Sequence, residues 1–192
     1  MTKKEIRKFI KKIFLETEIR DLTADSRAIA VRVIDHPEWQ KAVSILLYAH
    51  LPDEVETSQL IETALQQKKA VYLPGISGQA IDFYRVRTAG DYSEKNTFGI
   101  HEPDQHLPRF IMEDTINYPC CIIVPGRAFD KAHNRVGRGA GYYDRFFTGL
   151  KNSPAGHPFL MGICFSFQVV AAIPSASHDI PVHTVITESD IY

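Results

Sequence analysis

Residues 126–147, GRAFDKAHNRVGRGAGYYDRFF, concentrate the residue types of this chain that are best suited to chemistry. Their glycines allow positive φ and let backbone N–H groups approach a ligand without a Cβ in the way. A helix that begins near Gly141 would present unpaired N–H groups and the positive end of its dipole. Arg135 and Arg138 add planar, permanently charged donors that match phosphate oxygens. This combination is typical of an anion site, and a nucleotide phosphate is its natural ligand.

The familiar phosphate-binding motifs are absent from residues 135–143, which we call the glycine-rich loop. The loop has no Gly-Lys-Ser or Gly-Lys-Thr, so it is not a Walker A loop, and its GxGxG spacing differs from the dinucleotide fingerprint GxGxxG. A purely structural turn is therefore an alternative to phosphate binding. Asp144, in the first turn of the predicted helix, also has two interpretations. Its carboxylate complements the helix dipole, or it helps to hold Mg²⁺ against nucleotide phosphates.

Helix and strand patterns alternate along the chain and predict the elements that position this loop. Helices are predicted at 3–18, 25–35, 58–68, 141–151 and 167–174, and strands at 43–49, 70–74, 81–87, 120–125, 159–166 and 184–187. Several strands are continuous apolar runs, which favours a mostly parallel sheet with both faces covered. In such folds ligands bind at the carboxyl ends of strands, and residues 126–147 follow such an end. No boundary divides the pattern, so we expect one domain over residues 1–192.

Composition and charge argue against several classes of protein. The chain has 22 Lys and Arg against 23 Asp and Glu, a balance that a general nucleic-acid binder would not show. Cys120, Cys121 and Cys164 form neither a disulfide framework nor a CxxC metal pair, so we expect core residues of a cytoplasmic protein. No apolar run approaches the roughly 20 residues that a membrane span needs.

The first predicted helix is basic and amphipathic. Its lysines and arginine interleave with apolar residues, whereas a signal peptide has a continuous apolar segment after its basic start. We expect this helix to dock on the body of the protein with its cations in water or on an anion. A transit peptide or a helix on a membrane surface is the alternative.

The segment VPGRAFDKAHNRVGRGAGYYDRFF resembles the signature of the 5-formyltetrahydrofolate cyclo-ligase family. The similarity continues through KKEIR, LPDEVET, FGIHEP and HDIPVHTVITE, so it spans nearly the whole chain. It implies a three-layer α/β/α single domain around a mostly parallel sheet. The implied activity is the conversion of 5-formyltetrahydrofolate to 5,10-methenyltetrahydrofolate, with ATP and Mg²⁺ required and ADP and phosphate released. The implied route is phosphorylation of the formyl oxygen followed by ring closure by N10.

The resemblance also implies roles for particular residues. The residues implied to bind ATP lie at the start of the first helix and in the glycine-rich loop: Lys3, Lys4, Arg7, Arg135, Val136, Gly137, Arg138, Gly139, Ala140, Gly141, Tyr142 and Tyr143. The residues implied to bind the folate are Ala49, Glu54, Phe98, Arg138 and Tyr142. Glu54 is suited to accept hydrogen bonds from the pterin N–H groups, Arg135 and Arg138 are the expected catalytic residues, and Asp144 is the expected metal ligand. Because Lys3 and Arg7 are four residues apart, they share a helix face and can reach one anion.

Two positions depart from the pattern of the family. Some relatives have a lysine where this chain has Ala140, so one cation fewer serves the phosphates. Where the family usually has an aspartate linked to the metal, this chain has His183, and a neutral imidazole is a poor ligand for Mg²⁺. The metal then relies on Asp144, phosphates and water, or Asp179 contributes through water.

The expected partners are small molecules: ATP, and 5-formyltetrahydrofolate with or without a polyglutamate tail. We expect a cytoplasmic monomer or weak dimer that binds neither nucleic acid nor membranes, with His101, His133 and His178 as loop or structural residues. Two other classes of function stay open. One is a folate-binding module without turnover. The other is an enzyme of the sugar-phosphate isomerase or CoA-transferase architecture that uses the loop for a substrate phosphate.

Overall fold

A six-stranded sheet forms the centre of the computed structural model, which describes residues 1–16, 22–78, 80–92, 102–150, 154, 156–177 and 179–192. In spatial order its strands are β3 (Ala80–Val86), β2 (Ala70–Ser77), β1 (Ser44–Leu46), β4 (Cys120–Val124), β7 (Phe159–Ile163) and β9 (Thr184–Ile186). The edge strand β3 is antiparallel to β2, and the other pairs are parallel. The predicted α/β class with a mostly parallel sheet is confirmed.

The central strands bury side chains on both faces of this sheet. In β4, Cys121 and Ile123 belong to one hydrophobic cluster, whereas Cys120, Ile122 and Val124 belong to a second. The first cluster includes the apolar faces of α2 (Leu22–Asp35), α3 (Pro37–Lys41) and α4 (Ser58–Gln66), and the second includes that of α5 (Tyr142–Leu150). Helices on both faces explain the continuous apolar strands. Burial raises the pKa of the Cys121 thiol to about 12, as expected for an unreactive core cysteine.

A second, three-stranded sheet contains β6 (Arg135–Val136), β5 (Ala128–Asp130) and β8 (Val169–Val170) in that order. The helix predicted at 167–174 is therefore wrong: a 3₁₀ turn at Ser166–Gln168 leads directly into β8. The side chain of Gln168, which is 1% exposed, donates to the carbonyls of residues 126 and 127, each at 3.1 Å. These bonds, together with the pairing of two β-branched valines to β5, outweigh the local helical pattern.

Helix α1 (Lys3–Glu16) docks on this small sheet. Ile6 and Ile10 are fully buried in a cluster that includes Ala128, Val136, Val170 and Ile173. At the start of the helix, the Thr2 N–H donates to the Glu5 carboxylate, and the Glu5 N–H donates to the Thr2 hydroxyl. This reciprocal cap fixes the first turn. The expected docking of a basic, amphipathic first helix is confirmed, although residues 17 and 18 of the predicted helix lie outside the described residues.

In the part of the chain that the structure describes, no helix combines the length and the apolar composition needed to cross a membrane.

Candidate active site

The order of the strands reverses between β1 and β4, because β2 and β3 extend the sheet on one side while β7 and β9 extend it on the other. In open α/β sheets such a reversal leaves a crevice at the carboxyl ends of the two strands. A cavity of about 650 Å³ is lined by Tyr48, Ala49 and Glu54, which follow β1, and by residues 125–127, which follow β4. The cavity therefore lies where the topology predicts a ligand site.

Most of the residues predicted to bind ATP, folate or metal line this cavity. They are Lys3, Arg7, Ala49, Glu54, Arg135, Gly137, Arg138, Gly139, Ala140, Gly141, Tyr142, Tyr143 and Asp144. Two predicted residues are not among the lining residues: Lys4 is exposed, and Val136 is buried in the cluster beneath α1. Phe98, like His101 and His178, lies outside the described residues. The role of each residue in ligand binding stays a prediction.

Helix α1 brings two cations to one side of the cavity. The Nζ of Lys3 lies 2.6 Å from each carboxylate oxygen of Asp179. One turn later, the Nε of Arg7 donates to the carbonyl oxygen of Gly137 at 2.7 Å. The expected common face of Lys3 and Arg7 is confirmed, since both side chains line the cavity. The contact from Arg7 also ties the first helix to the glycine-rich loop.

The glycine-rich loop reaches α5 through two residues with left-handed backbone. Gly139 has φ of +115° and Gly141 has φ of +70°, conformations that side chains with a Cβ rarely adopt. The loop therefore turns sharply, and the first turn of α5, residues 142–144, lines the cavity. The N–H groups at the start of a helix have no partner within the helix, so this end favours an anion.

Arg135 forms a largely buried ion pair with Asp144 at the base of the cavity. One terminal nitrogen of Arg135 donates to Oδ1 of Asp144 at 2.6 Å. The guanidinium carbon also lies 5.7 Å from the ring centre of Tyr143 and 5.8 Å from that of Phe147. Among the described residues, its buried Nε has no hydrogen-bond partner. A buried donor without a partner costs free energy, so a ligand oxygen at this position would be stabilised.

Arg138 joins the glycine-rich loop to the acidic loop after β1. Its terminal nitrogen pairs with Asp53 and lies 2.9 Å from Glu54, and its Nε donates to Glu54 at 3.0 Å. Asp53 also pairs with Arg127, whose side chain is 8% exposed. Burial opposes ionisation of Asp53, but the bonds and charges of Arg138 and Arg127 outweigh it and hold the pKa of this carboxyl below its usual value. Asp53 thus joins Arg138 and Arg127 in one cluster with Glu54.

Charge on the cavity wall favours an anionic ligand. Among the described residues that line it, six are cationic, Lys3, Arg7, Arg127, Arg135, Arg138 and Arg145, and four are acidic, Glu54, Glu102, Asp144 and Asp179. Lys3, Arg135 and Arg138 each form an ion pair with one of these acids. Phosphate oxygens could share or replace these carboxylates at arginine, because both groups fit its planar donors.

Part of the cavity lining is apolar. Leu51, Pro74, Ile76 and Ile81 line it together with the ring of Tyr142. Flat apolar walls with a few fixed polar groups suit a ring system that is itself polar only at its edge. Glu54 provides such a fixed polar group, because its side chain is only 10% exposed.

His183 has a structural role instead of a place in the cavity. Its Nδ1 accepts a hydrogen bond from the Leu160 N–H at 2.8 Å, and its ring stacks on Phe159 with centres 5.0 Å apart. It is not among the described residues that line the cavity, whereas Asp144 and Asp179 are. Within the described part of the chain, no group of three or more His, Cys, Asp or Glu side chains is arranged to hold a metal.

Two residues of the cluster around Arg138 were not predicted from the sequence as site residues. Arg127 directly follows the Pro-Gly at the end of β4, and Asp53 precedes Glu54 in the loop after β1. Both positions follow the carboxyl end of a strand, which was the available signal. Nothing in the sequence pairs them, because 74 residues separate the two partners.

The fold and the cavity together define a class: a mostly parallel α/β protein with a cation-rich cavity where the order of its strands reverses. The sequence profile of the 5-formyltetrahydrofolate cyclo-ligase family matches residues 1–188. The structure of Aquifex aeolicus 5,10-methenyltetrahydrofolate synthetase is similar, with a TM-score of 0.79 and 33% identity over 100% of this chain and 92% of that chain.

Two sequence relatives carry the same family name. The probable 5-formyltetrahydrofolate cyclo-ligase of Schizosaccharomyces pombe is 31% identical, over 91% of this chain and 90% of the relative. The 5-formyltetrahydrofolate cyclo-ligase of Mus musculus is 30% identical over the same shares of the two chains. The chain belongs to the 5-formyltetrahydrofolate cyclo-ligase family of enzymes, which confirms the resemblance found in the sequence.

Proposed function

We propose that this enzyme converts 5-formyltetrahydrofolate to 5,10-methenyltetrahydrofolate, consuming ATP and releasing ADP and phosphate. The observation that carries the proposal is that one cavity is lined by six cationic side chains, by Glu54 and by apolar side chains. The cationic side chains suit a triphosphate, and the apolar side chains together with Glu54 suit a pterin ring. The names of the family and of its relatives support the same substrate.

The proposed reaction has two bond-forming steps. The formyl oxygen attacks the γ-phosphorus of ATP and the bond to ADP breaks, which leaves the formyl carbon in an imidate phosphate. N10 then attacks this carbon, the carbon–oxygen bond breaks, phosphate departs and N10 gives its proton to solvent. Arg135 and Arg138 stabilise the charge that develops on the transferred phosphoryl group, while Lys3 and Arg7 bind the remaining phosphates.

The residues of the cavity fit a Mg²⁺ ion held with the nucleotide. Mg²⁺ usually takes one or two carboxylates together with phosphate oxygens and water. Asp144 would supply one carboxylate, and Asp179 lines the same cavity. Because Arg135 already occupies Oδ1 of Asp144, the other carboxylate oxygen is the one offered to the metal. When bound, the ion would neutralise phosphate charge.

We further propose that residues 1–192 form one domain, which acts in the cytoplasm as a monomer or weak dimer. Folates with a polyglutamate tail are proposed substrates as well. The net charge of −1 supports a small-molecule enzyme that binds neither nucleic acid nor membranes.

The test is to mix the purified protein with ATP, Mg²⁺ and 5-formyltetrahydrofolate, and to follow the absorbance of the methenyl product together with ADP release. We expect both products in equal amounts. Folate binding without ADP release would indicate a binding module instead. Binding of a phosphosugar or a CoA thioester without an ATP requirement would indicate the isomerase or transferase alternative.

A further inference from the structure

Arg138 lines the cavity and pairs with Glu54, the residue proposed to bind the pterin. Its Nε donates to Oε1 of Glu54 at 3.0 Å, and one terminal nitrogen lies 2.9 Å from the same oxygen. That terminal nitrogen also pairs with Asp53, whose other oxygen pairs with Arg127. Two arginines and two acids thus form a neutral cluster.

Glu54 is occupied on both of its carboxylate oxygens. Oε1 accepts from Arg138, and Oε2 accepts the backbone N–H of Leu51 at 3.0 Å. The side chain is only 10% exposed, so little space is left for further donors. A pterin that donates hydrogen bonds to Glu54 must therefore compete with the guanidinium of Arg138.

A nucleotide phosphate would offer Arg138 another partner. Its side chain is 44% exposed and lines the cavity together with Lys3 and Arg7. Exchanging one charge-assisted pair for another costs an exposed arginine little. Arg127 differs, because its buried side chain remains on Asp53. Asp53 is therefore not left without a cation when Arg138 moves.

We propose that Arg138 couples the two substrate sites: nucleotide phosphate draws its guanidinium off Glu54, and the freed carboxylate then binds the pterin. The proposal rests on the proposed function, since both substrates must occupy this cavity together. Asp53 is the positioning residue, because its ion pair holds Arg138 beside Glu54. By linkage, each substrate tightens binding of the other by the same factor, which for such couplings is about 5- to 150-fold.

The coupling can be measured by calorimetric titration of 5-formyltetrahydrofolate into the full chain, with and without a non-hydrolysable ATP analogue and Mg²⁺. We expect the folate to bind at least about five-fold more tightly when the analogue is present. Equal folate affinity under the two conditions would overturn the coupling.

Arg138→Met removes the donors of the side chain but keeps most of its apolar stem. Because Oε1 of Glu54 then has no guanidinium beside it, this variant should bind folate without nucleotide at least as tightly as the wild type does, and the analogue should add no gain. Weaker folate binding under both conditions would show that Arg138 contacts the folate directly, and would overturn the proposal. Arg109→Met is the matched control: Arg109 pairs with Asp82 at 3.4 Å outside the cavity lining, and this variant should keep the full gain.

Asp53→Asn tests the positioning role separately. It should raise folate affinity only in the absence of nucleotide, whereas a merely structural residue would change both affinities alike. Circular dichroism checks that each variant is folded. A wild type that makes methenyl product but shows no effect of the analogue on folate affinity contradicts the coupling alone. A wild type that binds no folate and makes no product contradicts the proposed function as well.

Discussion

Replacing Asp144 by asparagine would separate two tasks of one carboxylate. In the structure, Asp144 neutralises the buried guanidinium of Arg135, and in the proposed function it also holds Mg²⁺. Asparagine keeps the shape and an acceptor oxygen but removes the charge. We therefore expect Asp144→Asn to lower the stability of the protein and to raise the Mg²⁺ concentration needed for half-maximal turnover.

The size of the stability loss follows from the exposure of the two side chains. The Arg135 side chain is 5% exposed and that of Asp144 is 31% exposed. In exposure, this ion pair is therefore intermediate between a buried pair and a surface pair. Breaking a buried pair costs about 3–5 kcal/mol, and an exposed pair contributes about 1 kcal/mol or less. Because asparagine retains a hydrogen-bond acceptor, we expect a loss of about 1–2 kcal/mol. For a chain of this size that corresponds to a fall in Tm of about 2–8 °C.

Urea unfolding of the ligand-free protein and a Mg²⁺ titration of turnover measure the two effects independently. Asp82→Asn is the matched control, because Asp82 pairs with the largely exposed Arg109. This control should cost less than about 1 kcal/mol and leave the Mg²⁺ requirement unchanged. If Asp144→Asn were as stable as the wild type, the importance of the ion pair would be refuted. A lower stability with an unchanged Mg²⁺ requirement would refute the metal assignment only.

Four further outcomes are expected. Arg138→Ala should weaken ATP use roughly ten- to a hundredfold, since it removes a charge-assisted bond of about 1.5–3 kcal/mol, and unchanged ATP kinetics would contradict this. Glu54→Gln should raise KM for the folate far more than KM for ATP; equal effects on the two KM values would contradict folate binding by Glu54. Gly162→Ala should destabilise the fold by about 1–3 kcal/mol in urea unfolding, because its Cβ would lie 2.5 Å from the buried ring of Phe129. Burial, aided by neighbouring histidines, lowers the pKa of His183 from its ordinary value of 6.5, so the folded state resists the proton that the unfolded chain accepts. Stability should therefore be fully present above pH 6.5 and fall below it, and His183→Gln should flatten this fall.

The sequence predicted those elements whose apolar residues form a regular pattern within the element itself. The runs at 43–49, 120–125 and 159–166 predicted three parallel strands, because strands with two buried faces are apolar at nearly every position. The basic first helix was found because Ile6 and Ile10 recur at helical spacing and share the buried face. The ends of the strands were predicted less accurately than their positions. The strand predicted at 43–49, for example, is only three residues long in the structure.

The sequence did not predict elements that are stabilised by residues far away in the sequence. The segment 167–174 has a helical pattern, yet its valines pair with β5 and its glutamine binds carbonyls about forty residues away. Helix α3 was also missed, because it is only five residues long and its cap is a ring nitrogen of His36 that accepts the Glu38 N–H. In the site, the glycine-rich loop was visible from composition. The pairing of Arg135 with Asp144 was not, since spacing alone assigned the carboxylate to the helix dipole or to a metal.

The docking of α1 on the small sheet has a consequence for synthesis on the ribosome. The apolar face of α1 contains Ile6 and Ile10, but its partners include Val170 and Ile173, which are made more than 150 residues later. Until these residues emerge, the apolar face of α1 is exposed next to the five lysines of the same helix. Helix α1 is thus synthesised long before the residues that cover its apolar face. The ion pair between Lys3 and Asp179 forms only after residue 179 has been translated.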